Sequence, residues 1–95
     1  MAEKNNLSKL IPNSYLIKWD SSRLCELCIN ATKYNIQGKP ISWAVQRYRS
    51  QSMSKLTGEF EHDPSPSNRS DEFIIEFRFD SAEEAYQSYL KFNKA

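Results

Sequence analysis

Phe73-Ile74-Ile75-Glu76-Phe77-Arg78-Phe79, followed at once by Asp80-Ser81-Ala82-Glu83-Glu84-Ala85-Tyr86, is the stretch on which the fold reading turns. Phe73, Ile75, Phe77 and Phe79 alternate with Ile74, Glu76 and Arg78, the period of a strand with one buried face. Asp80-Ser81 then places a carboxylate and a hydroxyl where a helix would begin, and Glu83 and Glu84 suit its first turn. Ala82, Ala85, Tyr86, Tyr89 and Leu90, with Phe92 at the edge, form the apolar stripe of that helix.

Working outward, the same strand-then-helix order is read a second time near the start. Tyr15-Leu16-Ile17-Lys18-Trp19 is short, aromatic and β-branched, and Asp20-Ser21-Ser22 repeats the capping chemistry. Leu24, Leu27, Cys28, Ala31 and Tyr34 fall at helical spacing, and Gly38 and Pro40 end the segment. Between the two units, Ile41 to Val45 reads as a strand, with a helix as the alternative. Leu56 to Glu61 reads as a further short strand with Phe60 inward. The prolines and small polar residues from Asp63 to Asp71 mark a mobile loop.

These elements predict one α+β domain over residues 1–95, with a flexible N-terminal arm over 1–13 and the mobile loop over 63–71. The expected sheet is antiparallel, with about three to four strands in the order β-α-β-β-β-α and two amphipathic helices on one face. That order admits a variant of the ferredoxin-like arrangement. Only one core fits in 95 residues, so every apolar segment must contribute to it.

Thirteen basic against twelve acidic residues leave a charge of +1, too little for a global field toward a nucleic-acid backbone or an anionic membrane. No apolar run approaches the roughly 18 to 20 residues that span a bilayer, and the first six residues are polar. Two cysteines are too few for a secreted disulfide scaffold. A cytoplasmic location with no membrane partner is therefore expected.

Cys25-Glu26-Leu27-Cys28 has the spacing of a redox or zinc pair. A redox thiol belongs at a helix N-terminus, whereas the expected helix starts near Ser21 and puts Cys25 about a turn inside it. A zinc tetrahedron needs two more ligands, and His62 is the only histidine. Packing is the expected role of both cysteines. His62, between Glu61 and Asp63, has no nucleophile at a suitable spacing, and Gly38 and Gly58 are too far apart to cradle a phosphate. No catalytic residue, metal or cofactor is expected.

The basic residues Lys33, Lys39, Arg47, Arg49 and Lys55 interleave with Trp43 and Tyr48, a composition found in nucleic-acid patches. Trp43, Arg47, Tyr48 and Arg49 are also the residue types that dominate protein interfaces, and they are the candidate partner-binding set. Asp71 to Asn93 resembles the third strand and second helix of an RNA-recognition motif, but Ser70, Asp71 and Glu72 replace that family's basic lead-in. From Leu24 onward, the order helix, strands, helix resembles a double-stranded-RNA-binding domain, yet Asp80, Glu83 and Glu84 stand where that family carries lysines. No binding residue is carried over from either. In size the chain also resembles small inhibitors or regulators encoded by mobile elements, including phage proteins that block host nucleases or CRISPR-type defence complexes, an analogy of class that no motif carries. The leading expectation is a non-catalytic module that binds a protein or protein complex; single-strand RNA binding through the same patch is the alternative.

Overall fold

A computed structural model describes residues 8–11, 13–22 and 24–93. Among the described residues, six strands come first and two helices follow. The strands are β1 (Ser8–Ile11), β2 (Ser14–Trp19), β3 (Cys25–Tyr34), β4 (Pro40–Arg47), β5 (Gln51–Met53) and β6 (Phe60–His62). They pair antiparallel in sequence order, so the sheet is a meander. A 3-10 turn (Pro66–Asn68) leads to α1 (Asp71–Phe77) and α2 (Ala82–Phe92).

The α+β class with a small antiparallel sheet and two helices holds. Six strands replace the expected three to four, and helices do not alternate with strands, so neither the order β-α-β-β-β-α nor a ferredoxin-like arrangement is present. Residues 8–11 of the expected arm form β1, paired with β2; residues 1–7 and 12 lie outside the described residues.

Two segments exchange identity with the sequence expectation. The stripe from Leu24 to Tyr34 is β3, a strand buried on both faces. Leu27, Ile29 and Ala31 alternate with Cys28, Asn30 and Thr32, and three of these six, Leu27, Cys28 and Ile29, are buried. Its supposed cap is a turn. Asp20 Oδ1 accepts from the Ser22 N–H (2.8 Å) and the Leu24 N–H (2.9 Å), a local use of the carboxylate that competes with helix initiation.

Conversely, Asp71–Phe77 is helical. Ser70 Oγ accepts from the Phe73 N–H (3.1 Å), Asp71 and Glu72 favour the positive N-terminus, and Phe73 stacks on Phe77 one turn later at 4.5 Å. Only the end of the expected strand remains extended. Phe79 exchanges two backbone hydrogen bonds of 2.8 Å with Trp43, covering the edge of β4 where β5 does not reach.

The helix expected from Ala82 is present. Ser81 Oγ accepts from the Glu84 N–H (3.1 Å), and Glu84 reaches back to accept from the Asp80 N–H (3.2 Å), a variant of the capping box. Its apolar side meets Ile29, Trp43, Val45, Met53 and Phe79, with Ala85 and Tyr86 contributed by α2 itself. Helix α1 serves the other face, so the helices do not share one. Ser54 Oγ donates to Glu76, and Ile74 borders a groove with Thr32 and Ser42.

Gly58 is set where no side chain fits. Its φ is +77°, and an added Cβ would lie 2.5 Å from Phe92 Cγ. Gly38, at φ +82°, has nothing within 4 Å of the same atom. Gly58→Ala should therefore cost about 2–3 kcal/mol and Gly38→Ala only about 1, the shared conformational part. Denaturant unfolding of the two variants checks this, and equal costs would show that Phe92 yields freely.

Candidate functional site

The sheet face turned away from α2 is buried yet polar. Ser14 in β2 pairs with Asn30 in β3, and Gln46 in β4 pairs with Ser52 in β5. Ser14 Oγ donates to Asn30 Oδ1, and Asn30 Nδ2 donates to Gln46 Oε1 (2.6 Å). Gln46 Nε2 (3.1 Å) and Ser52 Oγ (2.7 Å) both donate to Asp63 Oδ2. A line of hydrogen bonds thus crosses four strands and ends on one carboxylate just after β6.

Arg78 closes that line. Its Nη2 donates to both Asp63 oxygens at 2.8 and 2.9 Å, and its Nη1 donates to Ser52 Oγ (3.3 Å) and the Phe77 carbonyl (3.1 Å). Both side chains of the pair are 4% exposed. Arg69 Nε lies 3.3 Å from Asp63 Oδ1 and donates to the Pro64 carbonyl at 3.0 Å. Burial pushes the Asp63 carboxyl up, but the hydrogen bonds from Ser52 and Arg78 and the Arg78 charge outweigh it. The pKa of Asp63 lies below its ordinary value. Among the described residues, no buried side-chain nitrogen or oxygen lacks a partner. The segment expected as a mobile loop is anchored at its first residue.

Along the same face, β4 turns into β5 through Tyr48 and Arg49. Their φ values are +50° and +62°, and the Ser50 N–H donates to the Arg47 carbonyl (3.1 Å), the backbone of a type I′ hairpin. Asn-Gly adopts that backbone readily, whereas a bulky residue such as Tyr or Arg is strained there by about 1–2 kcal/mol. Tyr48 is fixed at both ends. Its N–H donates to the Glu26 carbonyl (2.9 Å) and its hydroxyl to Asp20 Oδ2 (2.9 Å). The Leu24 backbone bond holds the Asp20 carboxyl below the usual range, and the bond to Asp20 raises the Tyr48 hydroxyl.

The expected partner-binding set divides here. Arg47, Tyr48 and Arg49 are exposed together at the hairpin tip. Trp43 is not with them: it is 7% exposed in the core beside Tyr15 (ring centroids 6.0 Å apart), because its place in β4 faces α2. Arg47 lines a cleft on the α2 side with Tyr89 and Phe92, while Arg49 lines one on the polar face.

The interleaved basic residues do not form one patch. Lys39 precedes β4 and Arg47 ends it, about 25 Å apart at strand rise, and Lys55 Nζ sits 5.0 Å from the Phe79 ring centroid. Cys25 and Cys28 lie on a strand, not in a helix. Cys28 is fully buried, and burial, followed by the neighbouring Cys25 thiol, pushes its pKa up to about 12. It is therefore a protonated, unreactive thiol at neutral pH. His62 is exposed at the end of β6.

Asn30, Gln46, Ser52, Asp63, Arg69 and Arg78 escaped the sequence reading. One signal was available: Arg78 is a cation between Phe77 and Phe79, and a charge in such a run needs a buried partner. No protein-family model, no curated protein and no solved structure matches this chain.

Asp63→Asn leaves the buried Arg78 without its counter-charge and should cost about 3–5 kcal/mol at neutral pH. A carboxyl whose folded pKa is depressed stabilises fully above its unfolded value, about 3.9, and loses that contribution as pH falls through the folded pKa. Urea unfolding across this range should show the difference from the parent shrinking below about pH 4. A constant difference would mean that the carboxylate charge is not what the variant lacks.

Proposed function

We propose that this chain is a non-catalytic protein-binding module, acting as an inhibitor or regulator of a larger complex, and that it meets its partner through Arg47, Tyr48 and Arg49. The observation that carries this reading is the strained turn. Two bulky side chains occupy positive-φ positions where Asn-Gly would be less costly, and backbone strain is retained where side chains serve a function. The tip is also prepared for contact. Tyr48 is held by Asp20 and Glu26, so little rotamer freedom remains to be lost, and exposed guanidinium groups flank it.

The alternative, single-strand RNA binding, rests on the same arginines beside Tyr48. Salt separates the two readings, since a phosphate-driven complex weakens steeply as salt rises and an aromatic-anchored protein interface changes little.

A partner captured with the tagged chain should bind the Arg47→Ala/Arg49→Ala variant at least about tenfold more weakly, with melting nearly unchanged. Arg49→Gly should be more stable by roughly 0.5–1 kcal/mol and still bind more weakly, because it relieves the turn while removing a contact. A double variant that binds like the parent but melts early would make these arginines structural.

A further inference from the structure

We propose that the cleft on the polar face is a binding site for a phosphate ester of mononucleotide size. It has a volume of about 380 Å³, is floored by Ser14, Asn30 and Gln46, and is bordered by Tyr34, Arg49 and Arg69. That volume suits a small organic molecule better than a bare ion.

Donor and acceptor supply decides the sign of the ligand. Among the described residues, none that lines the cleft is Asp or Glu. The Asp63 carboxylate at the end of the polar line is buried, both of its oxygens accept from Arg78 Nη2, Ser52 and Gln46 donate to it as well, and Arg69 Nε lies 3.3 Å away. Asn30 Nδ2 donates to Gln46 Oε1 and to Cys28 Sγ, and Gln46 Nε2 donates to Asp63. What remains toward the cleft is cationic. Arg49 has no hydrogen bond or ion pair among the described residues, and Arg69 commits only its Nε. Arg49, with no carboxylate paired to it among the described residues, and the Nη groups of Arg69, whose Nε lies 3.3 Å from Asp63, match a phosphate, which guanidinium binds bidentately.

Tyr34 extends the site beyond the phosphate. Tyr34 as a residue is 47% exposed at the cleft wall, and an open aromatic side chain is a surface on which a base stacks. A second groove of about 320 Å³, sharing Thr32, Pro66 and Arg69 and adding Lys33, continues from it and leaves room for the sugar and base.

The site does not depend on the protein-binding reading, and the two separate at Arg47, which faces the α2 side. The test is a titration of the isotopically labelled full chain with AMP, inorganic phosphate and adenosine, followed by backbone NMR. AMP should shift Ser14, Asn30, Thr32 and Arg49 saturably and bind at least about tenfold more tightly than phosphate, with adenosine weaker still. Arg49→Gln and Tyr34→Ala should each weaken AMP binding at least about fivefold, and Arg47→Ala should leave it unchanged. No saturable shift with AMP, affinities equal to phosphate, or an equal loss in Arg47→Ala would overturn the proposal.

Discussion

The ion pair between Asp63 and Arg78 is the interaction on which the rest of this fold depends. The sheet has two buried faces, but only one is covered by an amphipathic helix in the ordinary way. The other is lined by Ser14, Asn30, Gln46 and Ser52, whose hydrogen bonds need an acceptor at the end of the line. Asp63 supplies it, and a buried carboxylate is tolerable only beside a cation. Arg78 is the single residue between the end of α1 and the bridge at Phe79, so this pair also fixes where α1 leaves off and the chain turns toward α2. Ion pairs of this kind contribute modestly to net stability against an apolar isostere, yet losing one partner is expensive.

The hairpin tip and the polar face are linked through this arrangement. Gln46 ends its hydrogen bonds on Asp63, and Arg47 to Arg49 follow it directly. Arg47 and Arg49 already border opposite sides of the sheet, and a one-residue slip of register would exchange those sides, because successive strand residues alternate faces. The strand parity that puts Gln46 on the polar face therefore also decides which arginine borders which cleft.

Much of the secondary structure was legible and some was misread for identifiable reasons. The cap at Ser81 and the stripe that follows it were read directly, since both signals are local. β3 was misread because a strand buried on both faces carries apolar residues at mixed spacings, and Leu27, Cys28 and Ala31 then imitate a helical stripe. α1 was misread the other way. Alternating phenylalanines outweighed Ser70, Asp71 and Glu72, although Phe73 and Phe77 are also one helical turn apart. Of the candidate site, Arg47, Tyr48 and Arg49 could be read from residue type alone. Trp43 could not be separated from them without the parity of β4. The polar line was invisible because Asn30, Gln46 and Asp63 are far apart in sequence and ordinary in type.

A double-mutant cycle between Asp63 and Arg78, using Asp63→Ala and Arg78→Met, addresses the central claim most directly. If the pair closes the polar face, each single variant strands a buried partner and the double variant does not. The double should then cost less than the sum of the singles by about 2 kcal/mol or more. Additivity within about 0.5 kcal/mol would show that the two groups stabilise the fold independently and that the polar face is held closed by something else.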